Sequence, residues 1–268
     1  QARPEDIEAF REEMGLNDPF IVRYVNYMLG LCQGDLGTSY KTRDPVGEEV
    51  WARLPNTAML ALTSTVVAIL LALPLGIIAA IKQNTLFDGI SMFISLLGIS
   101  MPVFWMGLLL ILFFSVKLGW FPVSGADQGI KSLVLPSIAL GFMHMASIAR
   151  TTRSSMLETI RQDYIRTVRA KGLPEKEVIT RHALRNALIP TTTVIGLQIG
   201  GMLGGSVLTE SVFAWPGIGR YMIQSIQGRD IPSVMGCIII FALSFAVINL
   251  IVDLIYGFID PRIKAQYK

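Results

Sequence analysis

Residues 133–186 read LVLPSIALGFMHMASIARTTRSSMLETIRQDYIRTVRAKGLPEKEVITRHALRN, an uncharged segment that runs directly into a basic one. About 20 apolar residues in a helix span the hydrocarbon core of a bilayer. The chain contains five windows without Asp, Glu, Lys or Arg, at residues 54–81, 89–116, 133–149, 187–209 and 231–252. With 52% hydrophobic residues, 16% charged residues and a mean hydropathy of +0.53, it is too apolar for a soluble domain. We predict an all-α polytopic membrane protein with five transmembrane helices.

The charges between these windows predict the orientation. Residues 150–186 contain nine Lys or Arg and four acidic residues, whereas residues 1–56 contain six basic and ten acidic residues. Because basic loops favour the cytoplasmic side, we expect an extracytoplasmic segment at residues 1–53 and a cytoplasmic loop at 150–186. The loop lies inside a transmembrane domain at residues 54–260, and a cytoplasmic tail follows at 261–268.

The leading segment raises the question of how it crosses the membrane. The sequence begins at Gln1 without an initiator Met and shows no signal peptide. Translocation of a free N-terminus is one possibility. The expectation we favour is that a sixth, N-terminal membrane helix precedes Gln1.

Two motifs are predicted inside the basic loop and the window that follows it. Residues 154–171 lack proline and predict one helix, which Gly172 and Pro174 end, and residues 175–188 predict a second short helix. The following window contains GLQIGGMLGG (residues 196–205), whose glycines recur at spacings of four. This spacing is typical of close helix packing, and a phosphate-binding loop is excluded because no Gly-Lys pair occurs.

Polar residues at membrane depth are few. His144, Gln198 and Asn249 lie within windows, and Asp253 lies just past the last one. Such residues are functional candidates, but a packing role for His144 and a pairing of Asp253 with Arg262 are the structural alternatives that we favour.

The sequence offers no constellation for catalysis. It has two His and two Cys, and it contains neither HExxH nor GxSxG nor paired acids within a window. Cys32 and Cys237 fall in the outer segment and in the last window, so a disulfide or a metal site is not expected. We predict no catalytic residue, no metal site and no cofactor in this chain.

Several motifs resemble the membrane subunits of bacterial binding-protein-dependent ABC importers, and most closely the B-type permeases of the peptide/opine/nickel branch. They follow the chain in order: GLNDPF (15–20), GDLGTSY (34–40), LGWFPVSG (118–125), LPS (135–137), YIRTVRAKGL (164–173), RHALRNALIP (181–190) and TESVFAWPGIGR (209–220). The resemblance therefore covers nearly the whole chain. It implies a type I importer permease fold in the bacterial cytoplasmic (inner) membrane.

The resemblance also implies partners. The family's cytoplasmic loop carries Glu-Ala-Ala, three residues and Gly, and its short helix docks on an ATPase subunit. Arg166, Thr167 and Val168 occupy the Glu-Ala-Ala positions here, and Gly172 matches the glycine. The expected ATPase-coupling residues are Tyr164, Arg166, Thr167, Val168, Arg169, Ala170, Lys171, Gly172 and Leu173. Two partner ATPase subunits are expected to bind ATP and Mg. A homologous second permease and membrane lipid are further expected partners. Nucleic acid is not an expected partner.

An extracytoplasmic binding protein is the remaining expected partner. Aromatic residues and turn formers lie near the predicted outer face, where they serve either as an aromatic belt or as a docking surface. The docking candidates are Trp120, Phe121, Trp215, Pro216 and Arg220.

We therefore predict a permease subunit that forms half of a peptide pathway in an ATP-driven importer. Nickel or another small chelate, imported by the same machinery, is the alternative cargo. A secondary transporter is a different class of protein and would need inverted repeats or charges along the route, neither of which is found.

Overall fold

The computed structural model describes residues 17–259 together with residues 3, 5, 8, 11, 12 and 15. Its helices are α1 (Phe20–Cys32), α2 (Val46–Ile81), α3 (Leu86–Ser100), α4 (Val103–Leu110), α5 (Ile130–Ile160), α6 (Asp163–Ala170), α7 (Leu184–Val212), α8 (Ile218–Gln227) and α9 (Ile231–Ile259). A π-helical turn, Ile111–Lys117, continues α4, and the turns Glu175–Glu177 and Val178–Ala183 lead into α7.

The helices confirm the membrane protein predicted from the uncharged windows. Those that are long and apolar enough to cross a bilayer are α2, α5, α7 and α9. The window at residues 89–116 is not one straight helix: α3 and the segment Val103–Lys117 meet at an angle of 106°. Met101 is extended before Pro102, because a proline disfavours helical backbone in the residue before it and lacks an N–H of its own. The described residues therefore contain four long spans, and a fifth if this bent pair crosses as one.

Helix ends differ from the expected boundaries because charged residues also belong to helices. Helix α2 begins at Val46, eight residues before the uncharged window, with Glu48 and Glu49 in its first turn. There the carboxylates interact favourably with the helix dipole. The predicted helix over residues 154–171 is wrong as one element, since α5 ends at Ile160 and α6 begins at Asp163.

Helix α5 is the centre of the bundle, and glycines bring its neighbours close. A methyl group at Gly141 would lie 2.7 Å from the Ser64 carbonyl oxygen on α2, and one at Gly76 of α2 would lie 2.6 Å from the Ala149 carbonyl oxygen on α5. A methyl group at Gly98 of α3 would overlap the Phe142 carbonyl oxygen. Small residues at these crossings allow the backbones to pack directly.

Because successive spans alternate in direction, the connecting segments gather at two ends. Residues 33–45, 118–129 and 213–230 form what we call the aromatic end, where the Gly125 amide donates to the Phe213 carbonyl (2.9 Å). Residues 82–85 and 161–183 form the basic end, where Arg161 donates to Gln83 (3.2 Å). The functional candidates fall at these two ends and at the middle of the bundle.

Candidate functional site

Helix α6 lies across the basic end with one apolar side against the bundle. Ile165 is buried, and Val168 and Leu173 pack beside it in a cluster with Met156 of α5 and Val178. The spacing of Ile165 and Val168 places both on one side of a helix. Gly172 ends the element with φ = +80°, a backbone conformation that glycine adopts without steric cost.

The other side of α6 faces outward. Among the residues expected to contact an ATPase, those exposed are Tyr164, Arg166, Thr167, Arg169, Ala170, Lys171 and Gly172, whereas Val168 and Leu173 are half-buried. The predicted set therefore divides into an exposed surface and two anchoring residues. Ile165, the most buried anchor, was not predicted, although its spacing from Val168 is a readable signal.

Polar contacts tie α6 to the start of the next span. The Arg169 guanidinium donates to both carboxylate oxygens of Glu175, at 3.0 and 2.6 Å. The Asn186 amide donates to the Tyr164 hydroxyl at 2.7 Å. These contacts join α6 to the turn at Glu175 and to Asn186 in the first turn of α7.

A bidentate ion pair joins α5 to α3 near the same end. Arg153 donates from Nε and from a terminal nitrogen to the two carboxylate oxygens of Asp88, both at 2.8 Å. The backbone N–H of Asn84 donates to the same carboxylate at 3.0 Å. Asp88 is buried, and paired hydrogen bonds of this kind fix orientation as well as distance. The pair joins residues 65 apart in sequence, so no local pattern predicts it.

The residues expected to dock a binding protein have very different surroundings at the aromatic end. Trp120 is 60% exposed, Phe121, Pro216 and Arg220 are half-buried, and Trp215 is only 1% exposed. The Trp215 indole N–H donates to the Asn56 carbonyl at 3.0 Å. The expected contact of Trp215 with a binding protein is therefore corrected: its ring belongs to the core and fastens α2 to the segment before α8.

Glu210 organises the turn that follows α7. Its side chain is fully buried and accepts hydrogen bonds from the Thr57 hydroxyl (2.8 Å) and from the Arg220 amide (3.0 Å). A methyl group at Gly217 would overlap the Glu210 carboxyl group, so only glycine fits there. The TESVFAWPGIGR motif thus encloses a buried carboxylate, a role that the sequence alone did not reveal.

A second carboxylate, Asp230, joins the leading segment to α9. It accepts hydrogen bonds from the Ser39 hydroxyl (2.5 Å), the Tyr40 amide (2.9 Å) and the Ser233 hydroxyl (2.8 Å). Burial by itself raises the pKa of Asp230, but these hydrogen bonds to the ionised form outweigh burial, so its pKa lies below the ordinary value. The ionised carboxylate therefore stabilises the aromatic end.

The polar residues at membrane depth form one direct contact. His144 Nδ1 lies 2.8 Å from the Gln198 side-chain oxygen, across the interface of α5 and α7. Asn249 of α9 lies beside Gly200, where a methyl group would be 3.3 Å from Oδ1. The proposed partner of Asp253, Arg262, lies outside the described residues. Within those residues, no group of three or more His, Cys, Asp or Glu is placed to hold a metal ion.

Comparison with known proteins identifies relatives of the chain. Residues 72–265 match the family described as "Binding-protein-dependent transport system inner membrane component". The chain is 47% identical to the dipeptide transport system permease protein DppB of Alkalihalophilus pseudofirmus, over 98% of this chain and 87% of that protein. It is 43% identical to the oligopeptide transport system permease protein AppB of Bacillus subtilis (97% and 85%). It is 44% identical to the glutathione transport system permease protein GsiC of Escherichia coli (98% and 86%).

Solved structures share the fold at low sequence identity. The MetNI methionine ABC transporter in an inward-facing conformation aligns with a TM-score of 0.68 and 19% identity, covering 79% of this chain and 96% of that one. An amino acid ABC transporter with histidines aligns with a TM-score of 0.62 and 15% identity, covering 78% and 94%. The predicted architecture, an importer permease fold, is confirmed.

Proposed function

The chain belongs to the family of binding-protein-dependent transport system inner membrane components, and from this premise we propose that it forms half of the pathway by which an ATP-driven importer moves peptides. The family is one of transport permeases and not of enzymes. Peptides are the cargo named for its relatives DppB and AppB, and glutathione, named for GsiC, is itself a peptide. A nickel complex or another small chelate is the alternative cargo.

The observation that carries the proposal is the arrangement of α6. Its apolar side is anchored in the bundle by Ile165, and its opposite side is exposed and basic. A partner that binds the exposed side can move α6, and the Arg169–Glu175 pair passes this motion to the turn Glu175–Glu177, which leads into α7. Such coupling requires that the partner bind two conformations of the permease with different affinity.

The partners that suit this arrangement are two ATPase subunits, a homologous second permease and an external binding protein. The ATPase subunits bind ATP and Mg. A cleft of about 500 Å³ beside the turn between α5 and α6 is lined by Arg153, Glu158, Arg161 and Asp163, and it offers the ATPase charges of both signs. In this orientation the basic end lies in the cytoplasm and the aromatic end lies outside, where Trp120 is the exposed aromatic candidate for binding-protein contact.

Replacement of the exposed Ala170 tests the coupling. In the complete transporter reconstituted in proteoliposomes, we expect Ala170→Trp to lower ATP-driven peptide uptake about tenfold, because the indole obstructs the docking surface of α6. Ala170→Ser is the matched control and should keep uptake within about twofold of the unmodified transporter. Uptake of a labelled peptide and ATP hydrolysis are measured on the same vesicles, and radiolabelled nickel tests the alternative cargo.

The outcomes separate the competing functions. Unchanged uptake by Ala170→Trp at equal amounts of inserted protein would remove α6 as the coupling element. Uptake that persists after ATP depletion while an ion gradient is intact would instead indicate a secondary transporter.

A further inference from the structure

Helix α7 presents one exposed stripe along its length. Exposed positions recur every three or four residues, which places them on a single face of the helix. They are Pro190, Thr193, Leu197, Gly201, Gly204 and Leu208. The opposite face packs in the bundle, where Met202 and Leu203 are buried. The stripe is the side of α7 that the described residues leave uncovered.

Two glycines of the stripe are not explained by packing within the described residues. Glycine weakens a helix relative to alanine, so a helical glycine calls for a reason. At Gly200, one position away, the reason is visible, because a methyl group would lie 3.0 Å from the Phe245 ring and 3.3 Å from Asn249 Oδ1. A methyl group at Gly201 would lie 3.7 Å from the nearest described atom outside the adjacent backbone of α7, and one at Gly204 would have no such atom within 4 Å. Both positions have room for a side chain and lack one.

The atom nearest to Gly201 belongs to a polar ring. A methyl group at Gly201 would lie 3.7 Å from His144 Cε1 and 4.0 Å from Gln198 Oε1. His144 is 9% exposed, and its Nε2 finds no hydrogen-bond partner among the described residues. A buried acceptor without a partner is unfavourable, so native proteins seldom retain one without a purpose. The bare backbone at Gly201 leaves the edge of this ring beside the exposed stripe.

The hydrogen bond on the other side of the His144 ring determines which ring nitrogen carries the proton. Gln198 Oε1 is a carbonyl oxygen and can only accept, so His144 Nδ1 carries the proton that joins them at 2.8 Å. In the neutral ring Nε2 is then an acceptor. The group that satisfies it must donate an N–H or an O–H.

We propose that His144 Nε2, reached over Gly201 when α5 and α7 shift during transport, accepts a hydrogen bond from a backbone N–H of the passing peptide. Peptides of any sequence carry such donors, so the contact recognises the peptide backbone rather than a particular side chain. The inference rests on the proposed import of peptides and adds to it a point of contact inside the bundle. Gly204, about one turn further along the stripe, has no described side chain within 4 Å of a methyl group placed there, and it serves as the internal control.

The experiment compares a short peptide with its backbone N-methylated analogue in the reconstituted transporter. N-methylation removes N–H donors and leaves the rest of the backbone intact. The same binding protein delivers both compounds, so its own preference cancels when variants are compared. We expect His144→Leu to reduce the uptake ratio of peptide to N-methylated peptide about two- to tenfold, the value of one hydrogen bond.

Two further variants keep the test decisive if His144→Leu fails to assemble. Gly201→Ala fits the available space and places a methyl group over the edge of the ring, so it should shift the ratio in the same direction. Gly204→Ala should leave the ratio unchanged. A ratio equal to that of the unmodified transporter in Gly201→Ala, at equal amounts of assembled complex, overturns the inference.

A loss of assembled complex that is equal in Gly201→Ala and Gly204→Ala also overturns it, because the stripe would then be a packing surface for the second permease. Failure of the proposed function looks different, since the unmodified transporter would import no peptide at all.

Discussion

At the level of single residues, two buried carboxylates hold the aromatic end together. Glu210 accepts hydrogen bonds from the Thr57 hydroxyl and the Arg220 amide. Asp230 accepts hydrogen bonds from the Ser39 hydroxyl, the Tyr40 amide and the Ser233 hydroxyl. Each carboxylate connects segments far apart in sequence, so its loss leaves several donors without an acceptor in a buried place. Trp215 acts in the same region as a core residue and not as a docking residue, because its indole N–H is bound to the Asn56 carbonyl.

The low pKa of Asp230 predicts a pH-dependent contribution to stability. An acid whose pKa is lower in the folded state stabilises the fold fully above its unfolded pKa of about 3.9 and loses this effect as the pH falls through the folded value. At neutral pH we expect Asp230→Asn to lower the melting temperature of the detergent-solubilised protein. The difference between the two proteins should shrink below about pH 4, as the native Asp230 takes up a proton.

Thermal unfolding of both proteins over this pH range measures the effect. Other carboxylates titrate equally in both, so the difference isolates Asp230. A difference that stays constant down to the lowest pH would show that the charge of Asp230 does not contribute.

At the level of elements, the basic end contains ion pairs of very different burial. Arg153 and Asp88 are mostly buried and bind through two hydrogen bonds at 2.8 Å, which ties α5, the helix that leads into α6, to the broken span. Arg166 and Asp163 lie within α6 at 3.9 Å, with 78% and 97% of their side chains exposed. Solvent screens the second pair almost completely, so only the first is expected to hold elements together.

A double-mutant cycle on each pair tests this distinction. For Asp88→Asn and Arg153→Gln we expect a coupling free energy of about 1–3 kcal/mol, measured by unfolding in mixed detergent. For Asp163→Asn and Arg166→Gln the coupling should stay below about 0.5 kcal/mol. Equal coupling in both cycles would mean that burial of the Asp88–Arg153 pair adds nothing.

At the level of the whole molecule, the alternating direction of the spans places the aromatic end and the basic end on opposite sides of the bundle. The proposed function requires the basic end inside the cell, where ATPases are found. Cys32 is an exposed residue next to the aromatic end, whereas Cys237 is buried in α9. Labelling of the Cys32 thiol can therefore show on which side of the membrane the aromatic end lies.

Labelling with a membrane-impermeant maleimide tests the orientation. In intact spheroplasts we expect Cys32 to react, and Cys32→Ser to abolish the labelling, because Cys237 is inaccessible. Lys171→Cys in the Cys32→Ser background should react only after the membrane is permeabilised, since Lys171 is exposed at the basic end. Reaction of this variant from outside would invert the orientation.

The order of the amino acids was enough to establish the class of protein and to place the apolar windows and the basic loop along the chain. Four of the five windows are long single spans, and the fifth is bent. Segregation of charge from apolar windows is a local property, and a bilayer converts it directly into helices, because unpaired backbone groups are not tolerated in lipid. Motifs such as YIRTVRAKGL also indicated the family correctly. The window at residues 89–116 was expected to form one helix, and its bend of 106° at Pro102 was not predicted.

Which residues meet was settled by the packing of the helices. The Asp88–Arg153 pair, the enclosure of Glu210 and the burial of Trp215 all join segments distant in the chain, and no local pattern encodes their contacts. The same holds for the difference between Gly200, which packs against Phe245, and Gly201, which stays open beside His144. Adjacent glycines look alike in the sequence and differ only in the face of α7 on which each one lies.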